Sequence, residues 1–87
     1  MHETKQIYYN QVKGVICEIN DTPEFPSIVI VVGHENKRHV NLCFKKELMK
    51  SVVDNYQIDD FINIKFFVSS RFKHDRWYTM CNGLEIL

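Results

Sequence analysis

The sequence predicts an all-β protein, a five-stranded barrel with one helix between its third and fourth strands. Segments rich in β-branched and aromatic residues, which favour strands, occupy residues 6–20, 27–32, 38–44, 61–72 and 76–87. One stretch of helical period, residues 45–56, separates the third segment from the fourth. A chain of 87 residues is long enough for one domain, which we assign to residues 1–87.

The first predicted strand, residues 6–20, is long, and Gly14 interrupts it. An isolated glycine in a strand often marks a bulge or a sharp bend. A bend at Gly14 would let one strand take part in two sheets of a small barrel. Residues 20–26 follow as a loop, because Asn and Asp with two prolines strongly favour turns.

The next two predicted strands are joined by a short turn at residues 33–37. Residues 27–32 are a continuous β-branched run, which is typical of a buried strand. Residues 38–44 alternate between apolar and polar side chains, as in a half-buried strand. The side chains that we expect to face the core are Val40, Leu42 and Phe44.

Residues 45–56 change to a helical period, because apolar side chains recur every three or four positions. Leu48, Val52 and Tyr56 lie four apart, with Met49 and Val53 on the adjacent row. This spacing indicates an amphipathic helix of about three turns. Its polar side is expected to carry Lys45, Lys46, Lys50 and Asp54.

The fourth predicted strand has two different faces. One face is apolar and is expected in the core, and consists of Ile62, Ile64, Phe66 and Val68. The other mixes aromatic, polar and cationic side chains, and consists of Asn63, Lys65, Phe67, Ser69 and Arg71. With the fifth strand, the element order is strand, strand, strand, helix, strand, strand. This is the order of the OB fold, a partly open Greek-key barrel, with the helix closing its bottom.

Charge and hydropathy exclude several classes of protein. Eleven basic residues balance eleven acidic ones, so any binding to nucleic acid must come from a local basic patch. The polar N-terminus lacks the apolar segment of a secretory signal, and the apolar run at residues 28–32 is too short to span a bilayer. We therefore expect a cytoplasmic protein that does not enter a membrane.

The cysteines and histidines give no indication of a metal site or a cofactor. Cys17, Cys43 and Cys81 are widely spaced, and we expect all three to be inert thiols in the core. His39 and Cys43 share a strand face but lie about 13 Å apart, too far to bind one ion. No nucleophile elbow, H-E-x-x-H motif or phosphate-binding glycine loop is present. The chain is therefore not expected to be an enzyme.

The predicted hairpin of the last two strands holds the candidate binding residues. Aromatic rings can stack on bases and cations can pair with phosphates. Trp77 and Tyr78 are adjacent and must point to opposite faces, so one is expected in the core and the other outward. An expected irregularity at Asn82 and Gly83 prevents us from deciding which. The candidate set is Lys65, Phe67, Arg71, Lys73, Arg76, Trp77 and Tyr78.

Several segments resemble a group of short OB-fold proteins of bacteria and their phages that are classed with single-stranded-DNA-binding proteins. The resemblance rests on residues 40–44, the helix, residues 58–60, and above all residues 66–71 and 76–79. The chain departs from the group in its hairpin turn and in its uncharged second strand. The resemblance implies binding to single-stranded DNA in replication, recombination or repair.

The working hypothesis is a non-catalytic OB-fold protein that binds single-stranded DNA, with RNA as the other ligand that the residues allow. The alternative is a protein-interaction module in which the same aromatic residues contact a partner. Phe67 fits either a nucleic-acid groove or a subunit contact, because exposed aromatic residues mark both. A small core and an excess of aromatic residues also suggest a homo-oligomer.

Overall fold

A computed structural model describes residues 9–87, and the predicted elements are present in the predicted order. The bounds are β1 (Asn10–Asn20), β2 (Ser27–Val32), β3 (Arg38–Cys43), α1 (Lys46–Asn55), β4 (Phe61–Lys73) and β5 (Arg76–Ile86). They agree with the sequence prediction to within one residue, except at the start of β1. There, the predicted residues 6–8 lie outside the described part of the chain.

The strands form a closed barrel in the order β1-β2-β3-β5-β4, which confirms the OB fold. β1 pairs antiparallel with both β2 and β4, and β2 pairs antiparallel with β3. The barrel closes through a short parallel contact in which Leu42 and Cys43 of β3 pair with Cys81 and Asn82 of β5.

The core is the inner row of each strand together with one side of the helix. Met49 and Val52 of α1 are buried against the barrel interior, so the helix closes the barrel as predicted. The predicted polar side of α1 is exposed. The buried side chains are Ile16, Ile28, Ile30, Leu42, Phe44, Met49, Val52, Ile62 and Ile64.

β1 changes partners at Val15, which lies opposite Phe61 of β4 and Val31 of β2. The neighbouring Gly14 is buried, and a Cβ added to it would lie 2.5 Å from the carbonyl oxygen of Val31. Only glycine therefore allows the two backbones to approach this closely. The prediction that one strand serves two sheets is confirmed, and Gly14 is the point of closest approach.

The bulge itself lies three residues further along, which corrects the prediction that it occurs at Gly14. Ile16 pairs with Ile30 and Glu18 with Val29, so Cys17 is the extra residue. The backbone N–H of Ile16 donates to the Asp60 carbonyl oxygen at 2.9 Å, and its own carbonyl accepts from the Asp59 N–H at 2.8 Å. Backbone groups of Asp59 and Asp60 thus satisfy the backbone N–H and C=O of Ile16 beside the bulge. The bulge therefore costs little free energy at this position.

The β4–β5 hairpin extends beyond the barrel. Within residues 9–87, β1 pairs with β4 as far as Phe66, and β3 pairs with β5 only at Cys81 and Asn82. Among the described residues, residues 67–73 therefore pair only with β5 and residues 76–80 only with β4. We call the two-stranded segment of residues 67–73 and 76–82 the ribbon. Val68, predicted to be in the core, is exposed because it lies in the ribbon, which no other element of residues 9–87 covers.

Two local features shape the hairpin. Phe66 pairs with Gly83 and Lys65 with Glu85, so Leu84 is the extra residue, one position after the irregularity predicted at Asn82 and Gly83. At the tip, His74 and Asp75 have φ values of 52° and 60°. Positive φ at both central positions is the geometry of a type I′ turn, which matches the twist of the strands.

Replacement of Gly14 by Ala is expected to lower the free energy of unfolding by about 1–3 kcal/mol, because the new methyl group meets backbone that cannot move aside. Chemical denaturation measures the change. Lys13→Ala, an exposed position in the same strand, is the control and should shift stability by less than about 0.5 kcal/mol. Equal stability of the two variants would contradict the role given to Gly14.

The double change His74→Asn and Asp75→Gly should stabilise the ribbon by about 1 kcal/mol, because both new residues tolerate positive φ better than those present. Amide hydrogen exchange at Ser70 and Thr79 reports the opening of this segment. Asp75→Ala is the matched control and should accelerate exchange. Slower exchange in the alanine variant would show that the turn does not limit opening.

Candidate nucleic-acid interface

The ribbon presents two faces of different chemistry, because directly opposite residues in an antiparallel pair lie on the same face. The cationic face carries the cross-strand pairs Phe67–Asn82, Ser69–Met80, Arg71–Tyr78 and Lys73–Arg76. The uncharged face carries the pairs Val68–Cys81, Ser70–Thr79 and Phe72–Trp77. The alternation of a strand therefore separates the basic side chains from the largest aromatic pair.

The outer part of the cationic face combines a ring with several cations. Arg71 lies opposite Tyr78, and Lys73 lies opposite Arg76 at the end of the ribbon. The side chain of Tyr78 is 46% exposed, so its ring is accessible for stacking. An open groove of about 390 Å³ runs along this part of the ribbon, lined by Arg71, Lys73, His74, Tyr78, Thr79 and Met80.

The inner part of the cationic face is held by hydrogen bonds. The side-chain amide of Asn82 donates to the Ser69 hydroxyl oxygen at 2.9 Å and lies 3.4 Å from the carbonyl oxygen of Phe67. These contacts join β4 to β5 beside the half-buried ring of Phe67. Phe67 and Met80 line a second groove of about 290 Å³, and Met80 also lines the outer groove, so the two grooves meet.

The far wall of the second groove is the β1–β2 loop, and it supplies an aromatic residue that sequence analysis missed. Phe25 is 75% exposed and lines this groove together with Lys45. The Phe25 N–H donates to the Thr22 hydroxyl oxygen at 3.3 Å, which fixes the loop locally. In the sequence, Phe25 stands two positions after Pro23 and directly before Pro26. The two prolines predict a turn, and this pattern alone does not mark the ring between them as a binding residue.

Lys65 extends the cationic face towards β1. Its Nζ lies 4.4 Å from the centre of the Tyr9 ring, within the range of a cation–π contact. This contact holds the ammonium group on the outside of the barrel, on the same side of β4 as Phe67 and Arg71. The face predicted for strand four is therefore confirmed, and Tyr9 is a second residue that the sequence analysis did not select.

Trp77 and Tyr78 point to opposite faces, as predicted, but neither is in the core. Trp77 is 71% exposed and lies on the uncharged face, where its ring centre is 5.3 Å from that of Phe72 at an angle of 51°. The prediction of one buried ring is wrong because the ribbon projects beyond the barrel. Trp77 is consequently separated by the sheet from Arg71.

The cysteines are less buried than the three core thiols that the sequence predicts. Cys17 is exposed at the bulge, whereas Cys43 and Cys81 are partly buried. Burial raises the pKa of the Cys81 thiol, and the neighbouring Cys43 raises it further. Cys81 therefore stays protonated and is a poor nucleophile at neutral pH.

Within residues 9–87, no three His, Cys, Asp or Glu side chains come close enough together to hold a metal ion. Over the same residues, the helix is too short to cross a membrane.

No protein-family model matches the chain, and no curated protein is similar to it in sequence. The fold does match solved structures. A crystal form of the mitochondrial single-stranded DNA binding protein Rim1 from S. cerevisiae has a TM-score of 0.76 at 8% identity, covering 94% of this chain and 92% of that chain. A second form has a TM-score of 0.61 at 10% identity, with 94% of each chain covered. The small single-stranded DNA-binding protein from Streptomyces coelicolor has a TM-score of 0.54 at 9% identity, with 91% of each chain covered. At this level of identity the likeness establishes the fold.

Proposed function

We propose that this protein binds single-stranded DNA along the cationic face of the ribbon and the groove beside the β1–β2 loop. The observation that carries the proposal is the cross-strand pair of Arg71 and Tyr78, with Lys73 and Arg76 beyond it on the same face. An accessible ring beside several cations is the composition of a single-strand binding groove. The solved structures that share the fold include single-stranded-DNA-binding proteins, which supports single-stranded DNA as the ligand.

The strand would follow the two grooves that meet at Met80. Near the tip, Arg71, Lys73 and Arg76 would contact phosphates, while the ring of Tyr78 stacks on a base. Further along, Phe67 and Phe25 offer apolar surface to bases, and Lys45 and Lys65 offer charge. Every base has a ring face to stack, so this mode of binding has little sequence preference.

The zero net charge of the chain is compatible with this function, because the cations that matter are concentrated on one face. Binding should then depend on local contacts and fall steeply with added salt. The role is non-catalytic: the protein covers single strands during replication, recombination or repair. RNA would be the competing ligand, since stacking and phosphate contacts do not by themselves distinguish the two.

The double change Arg71→Ala and Lys73→Ala should weaken binding to oligo-dT and flatten its salt dependence. Each lost phosphate contact reduces the slope of log K against log salt by about 0.7 for a single strand, so the expected change is about 1.4. Fluorescence titration of labelled oligo-dT at several salt concentrations measures both effects.

The charge-matched control is Lys46→Ala with Lys50→Ala, which removes two exposed cations from α1, away from the ribbon. It should leave the salt slope nearly unchanged. If both double variants lose the same amount of affinity, binding depends on the overall charge of the chain and not on the cationic face of the ribbon.

Tyr78→Ala should cost roughly 1–3 kcal/mol of binding free energy with little change in salt slope, because it removes a stacking surface and no charge. Tyr78→Phe keeps the ring and should bind nearly as well as the unaltered chain. Thermal unfolding of both variants controls for lost stability. A phenylalanine variant as weak as the alanine variant would show that the hydroxyl group, and not stacking, is used.

The alternative function is a protein-interaction module, and the exposed uncharged face of the ribbon is the observation that favours it. One measurement distinguishes single-strand binding from the protein-interaction module. If the unaltered chain binds neither oligo-dT nor an RNA strand of the same length at low salt, single-strand binding is wrong and the protein-interaction module is favoured.

A further inference from the structure

Asn82 carries a side-chain amide that hydrogen bonds hold in one orientation. Its Nδ2 donates to the Ser69 hydroxyl oxygen at 2.9 Å, and the carbonyl oxygens of Met80 and Phe67 lie 3.3 Å and 3.4 Å from the same nitrogen. A hydroxyl group can donate or accept a hydrogen bond, but a carbonyl oxygen only accepts. The two carbonyl groups therefore require the NH₂ group of the amide, and not its oxygen, to point at them.

The amide oxygen of Asn82 is consequently turned away from these acceptors. Within residues 9–87, no group donates a hydrogen bond to this oxygen. No fully buried side-chain oxygen or nitrogen of the same residues lacks a partner, so the Asn82 oxygen is accessible. The side chain lines the second groove, between Phe67 and the β1–β2 loop. Asn82 thus offers this groove an acceptor whose position is set before a ligand binds.

The other residues of the second groove suit the flat ring of a base. The exposed ring of Phe25 and the half-buried ring of Phe67 both line it. Phe67 and Asn82 lie directly opposite each other on β4 and β5, so a base stacked on Phe67 has its edge close to the Asn82 oxygen. The charged residues of the groove, Glu24 and Lys45, are exposed. Asn82 is therefore better fixed than either of them to contact the edge of that base.

A fixed acceptor distinguishes the bases by the groups on their edges. Cytosine, adenine and guanine each carry an exocyclic amino group, which is a hydrogen-bond donor. Thymine has no amino group, and its single ring N–H lies between two carbonyl oxygens. An acceptor that meets another acceptor loses its hydrogen bond to water and gains none, which costs free energy. The Asn82 oxygen therefore favours an amino-bearing base over thymine.

We propose that the second groove prefers a base with an exocyclic amino group, and that the side-chain oxygen of Asn82 accepts the hydrogen bond that sets this preference. The inference rests on the proposed function and adds a specificity-determining residue to it, because stacking alone has little sequence preference. A hydrogen bond between neutral groups changes affinity by about three- to tenfold. The preference is therefore modest, and thymine strands still bind.

Strands of thymine and of 5-methylcytosine test this preference directly. The two bases share the ring and the methyl group and differ in the carbonyl or amino group at position 4 and in the proton on N3. Strands of about 10 nucleotides, enough for one OB fold, keep length and phosphate charge equal. In fluorescence titrations at slightly alkaline pH, the unaltered chain should bind the 5-methylcytosine strand about three- to tenfold more tightly. Equal affinities would overturn the proposal.

Asn82→Ala removes the acceptor and should make the affinities for the two strands equal. The matched control is Arg71→Ala with Lys73→Ala, which removes cations of the outer groove and leaves Asn82 in place. It should weaken the binding of both strands by the same factor and keep the ratio of their affinities. A preference that survives Asn82→Ala, or that disappears in the control, would show that another residue recognises the base.

A base analogue keeps the proposal testable if Asn82→Ala does not fold. In 5-methyl-2-pyrimidinone a hydrogen atom replaces the amino group of 5-methylcytosine, while the ring and the N3 acceptor are retained. The unaltered chain should bind a strand of this analogue no more tightly than it binds oligo-dT. An affinity equal to that for the 5-methylcytosine strand would show that the amino group is not recognised, and would overturn the proposal.

The same titrations separate this inference from the proposed function. If the thymine and 5-methylcytosine strands bind tightly and equally, single-strand binding stands and the base preference is wrong. If neither strand binds at low salt, both the proposed function and the base preference are wrong. Tighter binding of the 5-methylcytosine strand that depends on Asn82 supports both.

Discussion

The candidate site depends on where the pairing of β1 with β4 and the pairing of β3 with β5 end. β1 leaves β4 at Phe66, and β3 touches β5 only at Cys81 and Asn82. Phe66 lies opposite Asn10, where the described part of β1 begins, whereas Gly14 marks the other end of this pairing, where β1 turns from β4 towards β2 to close the barrel. Everything in β4 and β5 beyond those limits is released from the barrel as a two-stranded ribbon. Both faces of the ribbon are accessible because no other element of residues 9–87 covers it, and the candidate site exists for that reason.

Strand alternation then divides the chemistry of the ribbon. Consecutive side chains point to opposite faces, so the order Arg71, Phe72, Lys73 places two cations on one face and an aromatic ring on the other. The order Arg76, Trp77, Tyr78 does the same on β5. A chain with no net charge thereby has one strongly cationic face and one that carries no charge. A neutral protein can in this way offer separate surfaces to a polyanion and to an apolar partner.

The similarity to solved structures at 8–10% identity has a physical explanation. The OB barrel needs inward-facing apolar side chains, a bent first strand and a helix that closes one end, and many sequences meet these needs. The side chains that would contact a ligand face outward and are free to differ. The case for a function therefore rests on the grouping of Phe25, Phe67, Arg71 and Tyr78 about the two grooves, and the fold serves to position them.

By itself, the sequence determined the elements, their order and the inner rows of the strands, because local periodicity records which side chains avoid water. It also selected Arg71, Lys73, Arg76 and Tyr78, since their hairpin is local in sequence. The tertiary structure alone decided that Trp77 is exposed, because burial depends on which distant strands extend far enough to cover a residue. It alone placed Phe25 beside Phe67, which is 42 positions away in the chain. The offset of the first bulge from Gly14 to Cys17 has the same origin: the backbone groups of Ile16 are satisfied by Asp59 and Asp60, and such long-range hydrogen bonds leave no periodic pattern in a sequence.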